Sequence, residues 1–183
     1  MVLKEKSTVL DENGIKRTLQ RIAHELVEKN QKIEEIAIIG IKTRGAFLAE
    51  RIAKNIENIE NIKIPVGALD ITLYRDDLTE VAQQPVLRST EIDFDITKKN
   101  IILVDDVLYT GRTVRCALDE LIDFGRPAKI QLAVLVDRGH REFPIRPDYV
   151  GKNIPTSKNE SIEVRLREED GKEEVVVLAE ERG

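Results

Sequence analysis

The chain has 183 residues, 41% hydrophobic and 34% charged, with a net charge of −5. That length suits one α/β domain with its own core. The acidic balance confines any nucleic-acid contact to a local basic patch. No run of about 18 apolar residues occurs, so no membrane helix is expected. The opening MVLKEKSTVLDENG lacks the apolar core of a secretory signal. The single cysteine, Cys116, rules out an intrachain disulfide and fits a cytoplasmic location; with only two histidines, a structural zinc site is not expected.

Residues 11–30 read as the first helix, with Asp11 as N-cap. Ile15, Leu19, Ile22 and Leu26 share one face; Arg17, Gln20, Arg21 and His24 fall on the opposite one. That stripe is either a solvated face or a docking face. IAIIGI, residues 36–41, is a buried strand, followed by Lys42-Thr43-Arg44-Gly45 and a helix from about Ala46. A basic loop beyond the carboxyl end of a strand suits an anion. Residues 62–74 alternate as a strand ending near Tyr74. The polar stretch from Arg75 to Thr97, which contains Arg88, is long enough for a compact domain that it should be functional or disordered.

The most informative stretch is Ile101 to Thr113, IILVDDVLYTGRT. Ile101 to Val104 read as a strand buried on both faces. Asp105 and Asp106 follow, then Val107, Leu108 and Tyr109, then Thr110-Gly111-Arg112-Thr113. An amphipathic helix continues with Val114, Ala117, Leu118, Leu121 and Ile122. A Thr/Gly loop opening a helix can cradle a phosphate on unpaired N–H groups and hydroxyls. The carboxylates would repel that phosphate and suit hydroxyls or a metal instead. No Lys follows Gly111, so this is not a Walker A loop. The plainer alternative is an acidic strand end that caps a helix.

Residues 129–137 form another buried strand, preceded by Gly125 as a helix C-cap. Residues 138–159 are rich in Arg, Pro and Gly and show no period. Residues 161–168 and 173–179 flank Asp170-Gly171 as an antiparallel hairpin that extends the sheet or the hood region.

The segment 101–113 resembles the phosphoribosyl-diphosphate (PRPP) motif of type I phosphoribosyltransferases. With IKTRG, DITLYRDDL and DRGHREFPIRPDYVGKNIPTS, the resemblance covers about residues 8 to 160 and points to the family's pyrimidine-operon attenuation branch, which also has uracil phosphoribosyltransferase activity. It implies a single α/β domain, 1–183, with a central, mostly parallel sheet flanked by helices, a small hood and a C-terminal antiparallel hairpin. The core would span about 30–140, a closing flap about 74–97, and the hood about 138–160 plus the N-terminal segment. The substrate-binding set it implies is Thr43, Arg44, Arg88, Asp105, Asp106, Val107, Leu108, Tyr109, Thr110, Gly111, Arg112, Thr113, Arg138 and Ile162. Asp105, Asp106 and Arg44 would be catalytic. Mg²⁺ would arrive with the substrate and touch Asp105 and Asp106. The loop at residues 42–45 often holds a cis peptide in this family.

The implied reaction joins uracil to PRPP, giving UMP and diphosphate. The implied regulatory activity is binding of pyrimidine-gene leader mRNA when UMP or UTP is plentiful, promoting transcription termination. Arg17, Arg21 and His24 would join His140, Arg141, Arg146 and Lys152 as one basic RNA-binding face. For His140 and Arg141 the competing role is anion binding at the active site. Two other readings stay open: a dedicated uracil salvage enzyme without RNA function, and a pure RNA-binding nucleotide sensor. Dimers or larger assemblies are usual in the family.

Overall fold

The computed structural model describes residues 3–71 and 90–180. Tyr74, Arg75, Arg88 and most of the expected flap lie outside the described residues.

The core is a parallel sheet of five strands: β2 (Ile36–Ile41), β3 (Val66–Leu69), β4 (Asn100–Leu108), β5 (Lys129–Asp137) and β6 (Tyr149–Asn153), in the spatial order β3-β2-β4-β5-β6. Every pairing between neighbours is parallel. Parallel sheets need cover on both faces, and the strand sequences supply apolar side chains to both. Ile36, Ile38, Ile102 and Val104 pack with α1 (Glu12–Lys29) and α2 (Arg44–Glu60). The alternate residues, Ala37, Ile39, Ile101 and Leu103, pack with Val114, Ala117 and Leu121 of α3 (Arg112–Phe124). The α1 face and Val114, Ala117 and Leu121 of α3 therefore meet the sheet, whereas Ile122, expected on the same face of α3, is 63% exposed. Asp11 caps α1, its carboxylate accepting the Gly14 N–H at 2.7 Å.

A second sheet is antiparallel, in the order β1-β8-β7, formed by β1 (Leu3–Leu10), β7 (Glu160–Arg165) and β8 (Glu174–Glu180). It is separate from the main sheet, and the hairpin does not extend the parallel strands. Its two C-terminal strands are joined through a short helical turn, α4 (Arg167–Asp170), before Gly171 at φ +67°. The third strand comes from the N-terminal segment. Its mostly exposed edge gives no hydrophobic alternation to read.

Three other boundaries differ from the sequence reading. β4 continues past Val104 through both acids to Leu108, because it pairs with β5 as far as Asp137. β3 is only four residues long; Pro65 before it has no N–H to donate to a ladder. β6 lies inside the stretch that shows no period. Its anchor is a single fully buried side chain, Tyr149, and Gly and Pro around it hide the alternation.

Candidate functional site

Two glycines bring the basic loop against the acidic strand end. A Cβ on Gly40, in β2, would lie 2.3 Å from the Gly45 carbonyl oxygen. A Cβ on Gly45 would lie 2.6 Å from the Val104 oxygen and 3.3 Å from Asp105 Cα. Contacts that short do not occur, so only glycine lets the start of α2 press onto β4 beside the two acids. The Lys42–Thr43 peptide bond in this loop is cis. Arg44 is the first residue of α2, two positions earlier than expected from the hydrophobic pattern.

Asp105 is 4% exposed and Asp106 is half-buried. Asp105 Oδ1 accepts the Asp106 N–H at 2.9 Å, and Asp106 Oδ1 accepts the Val107 N–H at 2.8 Å. Each carboxylate is thus tied to the backbone N–H of the residue that follows it. Two adjacent hard oxygen donors suit Mg²⁺ shared with a ligand's own oxygens. Among the described residues no group of three or more His, Cys, Asp or Glu could hold a metal by itself.

The chain then turns through Tyr109 and Thr110 to Gly111 at φ +92°, the N-cap of α3. That left-handed value is open to glycine and strained for other residues. The cap residue is a glycine and offers no side-chain oxygen to the helix end. Arg112 N–H donates to the Thr110 hydroxyl over a long 3.3 Å. The first turn therefore keeps the donors and the dipole that favour an anion.

The hood packs onto this loop. Glu142 and Phe143 both donate their N–H to the Thr110 oxygen, at 2.9 and 3.1 Å. Glu142 also accepts from Arg112 Nε at 2.7 Å. The guanidinium groups of Arg112 and Arg115 lie 5.6 and 5.7 Å from the Phe143 ring centre. Glu142 and Phe143 carry no signal in the sequence that links them to residues 110–112.

Arg138 is 7% exposed, and its guanidinium lies 3.9 Å from the Tyr109 ring centre. It donates to Thr156 Oγ1 (3.1 Å) and to the Glu160 backbone oxygen (2.6 Å). Both acceptors are neutral, and burial pushes the Arg138 guanidinium below its ordinary value. His140 packs edge-on against Tyr109 at 6.0 Å, and its Nε2 is 2.6 Å from the Thr156 oxygen. Ile162, half-buried in β7, packs at the margin of the core two residues beyond the Glu160 carbonyl that holds Arg138.

The basic residues separate into two groups. Arg17, Arg21 and His24 line one cavity of about 540 Å³ with Gln20, Asn55, Asn58 and Ile59. Arg21 also pairs with Glu25 and donates to the Val150 and Gly151 oxygens of β6. Gly151 adjoins Lys152, whose ammonium donates to the Val9 oxygen at 2.9 Å. Arg146 is exposed. His140 and Arg141 instead turn to the carboxyl ends of β4 and β5: Arg141 donates to the Tyr109 oxygen and pairs with Asp137 at 2.7 Å.

Arg44 is also engaged. Its Nε and Nη2 donate to the two carboxylate oxygens of Asp170. Asp170 keeps the Arg44 guanidinium more firmly protonated than usual, opposed by burial and helped by Asp106. Asp170 entered the sequence reading only as a turn residue, since nothing local ties position 170 to position 44.

The sequence profile of the Phosphoribosyl transferase domain matches residues 6–177. "Bifunctional protein PyrR" of Pelotomaculum thermopropionicum is 60% identical over 175 residues, covering 96% of this chain and 97% of that protein. The protein of the same name from Deinococcus radiodurans is 61% identical over 166 residues, 91% of each chain. A hypoxanthine phosphoribosyltransferase from Staphylococcus aureus has a TM-score of 0.72 at 20% identity, over 95% of this chain and 91% of that one. At such identity the likeness speaks for the fold alone, and that fold is the type I one. With the acid pair, the uncapped glycine turn and the basic loop all at one end of the parallel sheet, the chain belongs to the phosphoribosyltransferase family.

Proposed function

We propose that the chain is a bifunctional pyrimidine regulator: it converts uracil and PRPP to UMP and diphosphate, and it binds leader mRNA of pyrimidine genes in response to uridine nucleotides, promoting transcription termination. The observation that carries the enzymatic half is the Gly45 contact, which sets a basic loop beside Asp105 while β4 runs on to the open helix end at Gly111. The twofold role is supported by relatives near 60% identity that are named bifunctional.

In this reading Thr110 to Thr113 hold the 5′-phosphate on backbone N–H groups and hydroxyls. Asp105 and Asp106 accept hydrogen bonds from the ribose 2′- and 3′-hydroxyls. Thr43 and Arg44 meet the pyrophosphate. Mg²⁺, bound with PRPP, would offset the charge of the leaving diphosphate. As the bond at C1′ lengthens, positive charge develops on the sugar and the acid pair favours it. Arg44 stabilises the departing anion. Uracil N1 attacks the opposite face and gives up its proton to water or to the departing diphosphate, and Arg138 and Ile162 border the base. No side chain is assigned as the base, since water or diphosphate can take the proton; positioning and electrostatics supply the catalysis.

For RNA, the cavity lined by Arg17, Arg21 and His24 offers cations for phosphate and planar groups for splayed bases. Lys152 follows Gly151, whose oxygen Arg21 holds, and exposed Arg146 adds a further cation, whereas His140 and Arg141 pack at the nucleotide loop through Tyr109. The test has two arms. Magnesium-dependent UMP formation from uracil and PRPP is expected, together with a gel shift of a pyrimidine leader RNA that UMP strengthens. UMP formation without any RNA shift at physiological salt would leave a salvage enzyme. RNA binding without turnover would leave a nucleotide sensor.

A further inference from the structure

The Arg44 side chain reaches the site already held. Its Nε donates to Asp170 Oδ2 at 3.1 Å and its Nη2 to Oδ1 at 2.6 Å. A fork on a carboxylate fixes the plane of the guanidinium as well as its location. Asp170 is itself fixed, because Oδ2 also accepts the Leu166 N–H at 2.8 Å. The two side chains are 31% and 19% exposed, so the pair is only partly open to solvent screening. The fork uses Nε and Nη2 and leaves the Nη1 edge to another acceptor. Asp106 and Glu169 add to the field on Arg44, so one of the two strand-end acids acts on the same cation as Asp170.

We infer that Asp170 is a positioning residue for the transferase reaction: it presets Arg44 so that the pyrophosphate of PRPP meets an oriented donor. This rests on the proposed role of Arg44 as the pyrophosphate contact. Arg is a long side chain with many rotamers, and ordering it before substrate arrives lowers the cost of binding. The preset geometry also keeps the donor in line with charge that develops on the leaving group. The link further makes the turn between β7 and β8 part of the active site, although it belongs to the separate antiparallel sheet.

The test is steady-state kinetics on Asp170→Asn in the full chain. The amide keeps an oxygen for the Leu166 N–H and loses the charge and one acceptor for Arg44. The KM for PRPP and the inhibition constant of inorganic pyrophosphate are expected to rise about tenfold, as loss of one oriented charge-assisted bond implies. The KM for uracil should stay near wild type while the PRPP and pyrophosphate constants move, a split that a merely structural tie between α2 and α4 would not produce. Asp170→Glu, with its charge restored at a longer reach, should recover part of the PRPP effect. It carries the same readout if the Asn variant does not fold. Arg44→Ala is measured beside them, and the double variant should be no worse than Arg44→Ala alone. If Arg44→Ala leaves both constants unchanged, the pyrophosphate role itself fails. If Arg44→Ala raises them while Asp170→Asn leaves them unchanged or tightens pyrophosphate, the positioning inference is overturned and the role of Arg44 stands.

Discussion

Gly45 sits directly under the Val104 carbonyl: a Cβ there would stand 2.6 Å from that oxygen. The loop that carries Arg44 and the strand that carries Asp105 are therefore one packed unit, and the separation between anion donor and acid pair is set by the absence of a side chain. Gly45→Ala should push the two apart. Overpacking of this kind costs about 1–3 kcal/mol. A lowered melting temperature is expected in a thermal scan, together with a PRPP KM that rises more than the uracil KM.

Asp105→Asn and Asp106→Asn test the sugar-binding role. Both substitutions keep size and remove charge. The rate of UMP formation should fall by about a hundredfold or more, the range seen when a preorganised charge partner is lost at a reacting centre. RNA binding by the nucleotide-free protein should largely survive in the same gel-shift assay. An equal loss of both activities would instead indicate a folding defect.

Arg21→Ala probes the other surface. Arg21 bridges α1 to β6 through the Val150 and Gly151 oxygens, yet about half of its side chain is exposed. Loss of one phosphate contact should weaken leader RNA binding and reduce the slope of log affinity against log salt by about one. UMP formation should hold, since no part of Arg21 reaches the β4 end. A matched loss of catalysis would tie the two surfaces more closely than proposed.

Acid should loosen the antiparallel sheet first. Lys6, with help from the Ser157 N–H, pulls the Glu160 carboxyl down to about 2. Arg44 and the Leu166 N–H hold Asp170 below the usual carboxylate range. A carboxyl depressed in the folded state adds stability above its unfolded value, about 4.3 for Glu. That contribution is lost as pH falls from there toward the folded value, so the window runs from about 4.3 to about 2 for Glu160. Urea midpoints measured across this range should fall with pH. Lys6→Ala should flatten the dependence, and an unchanged profile would contradict the assignment.

How legible the sequence was depends on how local each feature is. β2, β4 and β5 announce themselves because a strand buried on both faces is an unbroken apolar run, as in IAIIGI and KIQLAVLVD. The acid pair and Thr110 to Thr113 are contiguous, so their chemistry can be read in order. β1 could not be read: its six outermost residues are exposed, and it exists because β8 offers an edge more than 160 residues away. Tyr149 anchors β6 alone. The Arg44–Asp170 fork spans 126 positions, and the hood's grip on Thr110 spans about 30. Such partners are chosen by the fold, and composition or period says nothing about them. His140 and Arg141 show the same limit, since contacts with Tyr109, Asp137 and Thr156 turn them toward the sheet end.

The central claim is that β4 and the turn after it grip PRPP. A crystal of the protein grown with Mg²⁺ and PRPP, without uracil, measures this directly. Density for the ribose hydroxyls on Asp105 and Asp106, with the 5′-phosphate against Thr110 to Thr113, is the expected result. Density for the ligand at another place, with that strand end bare, would contradict it.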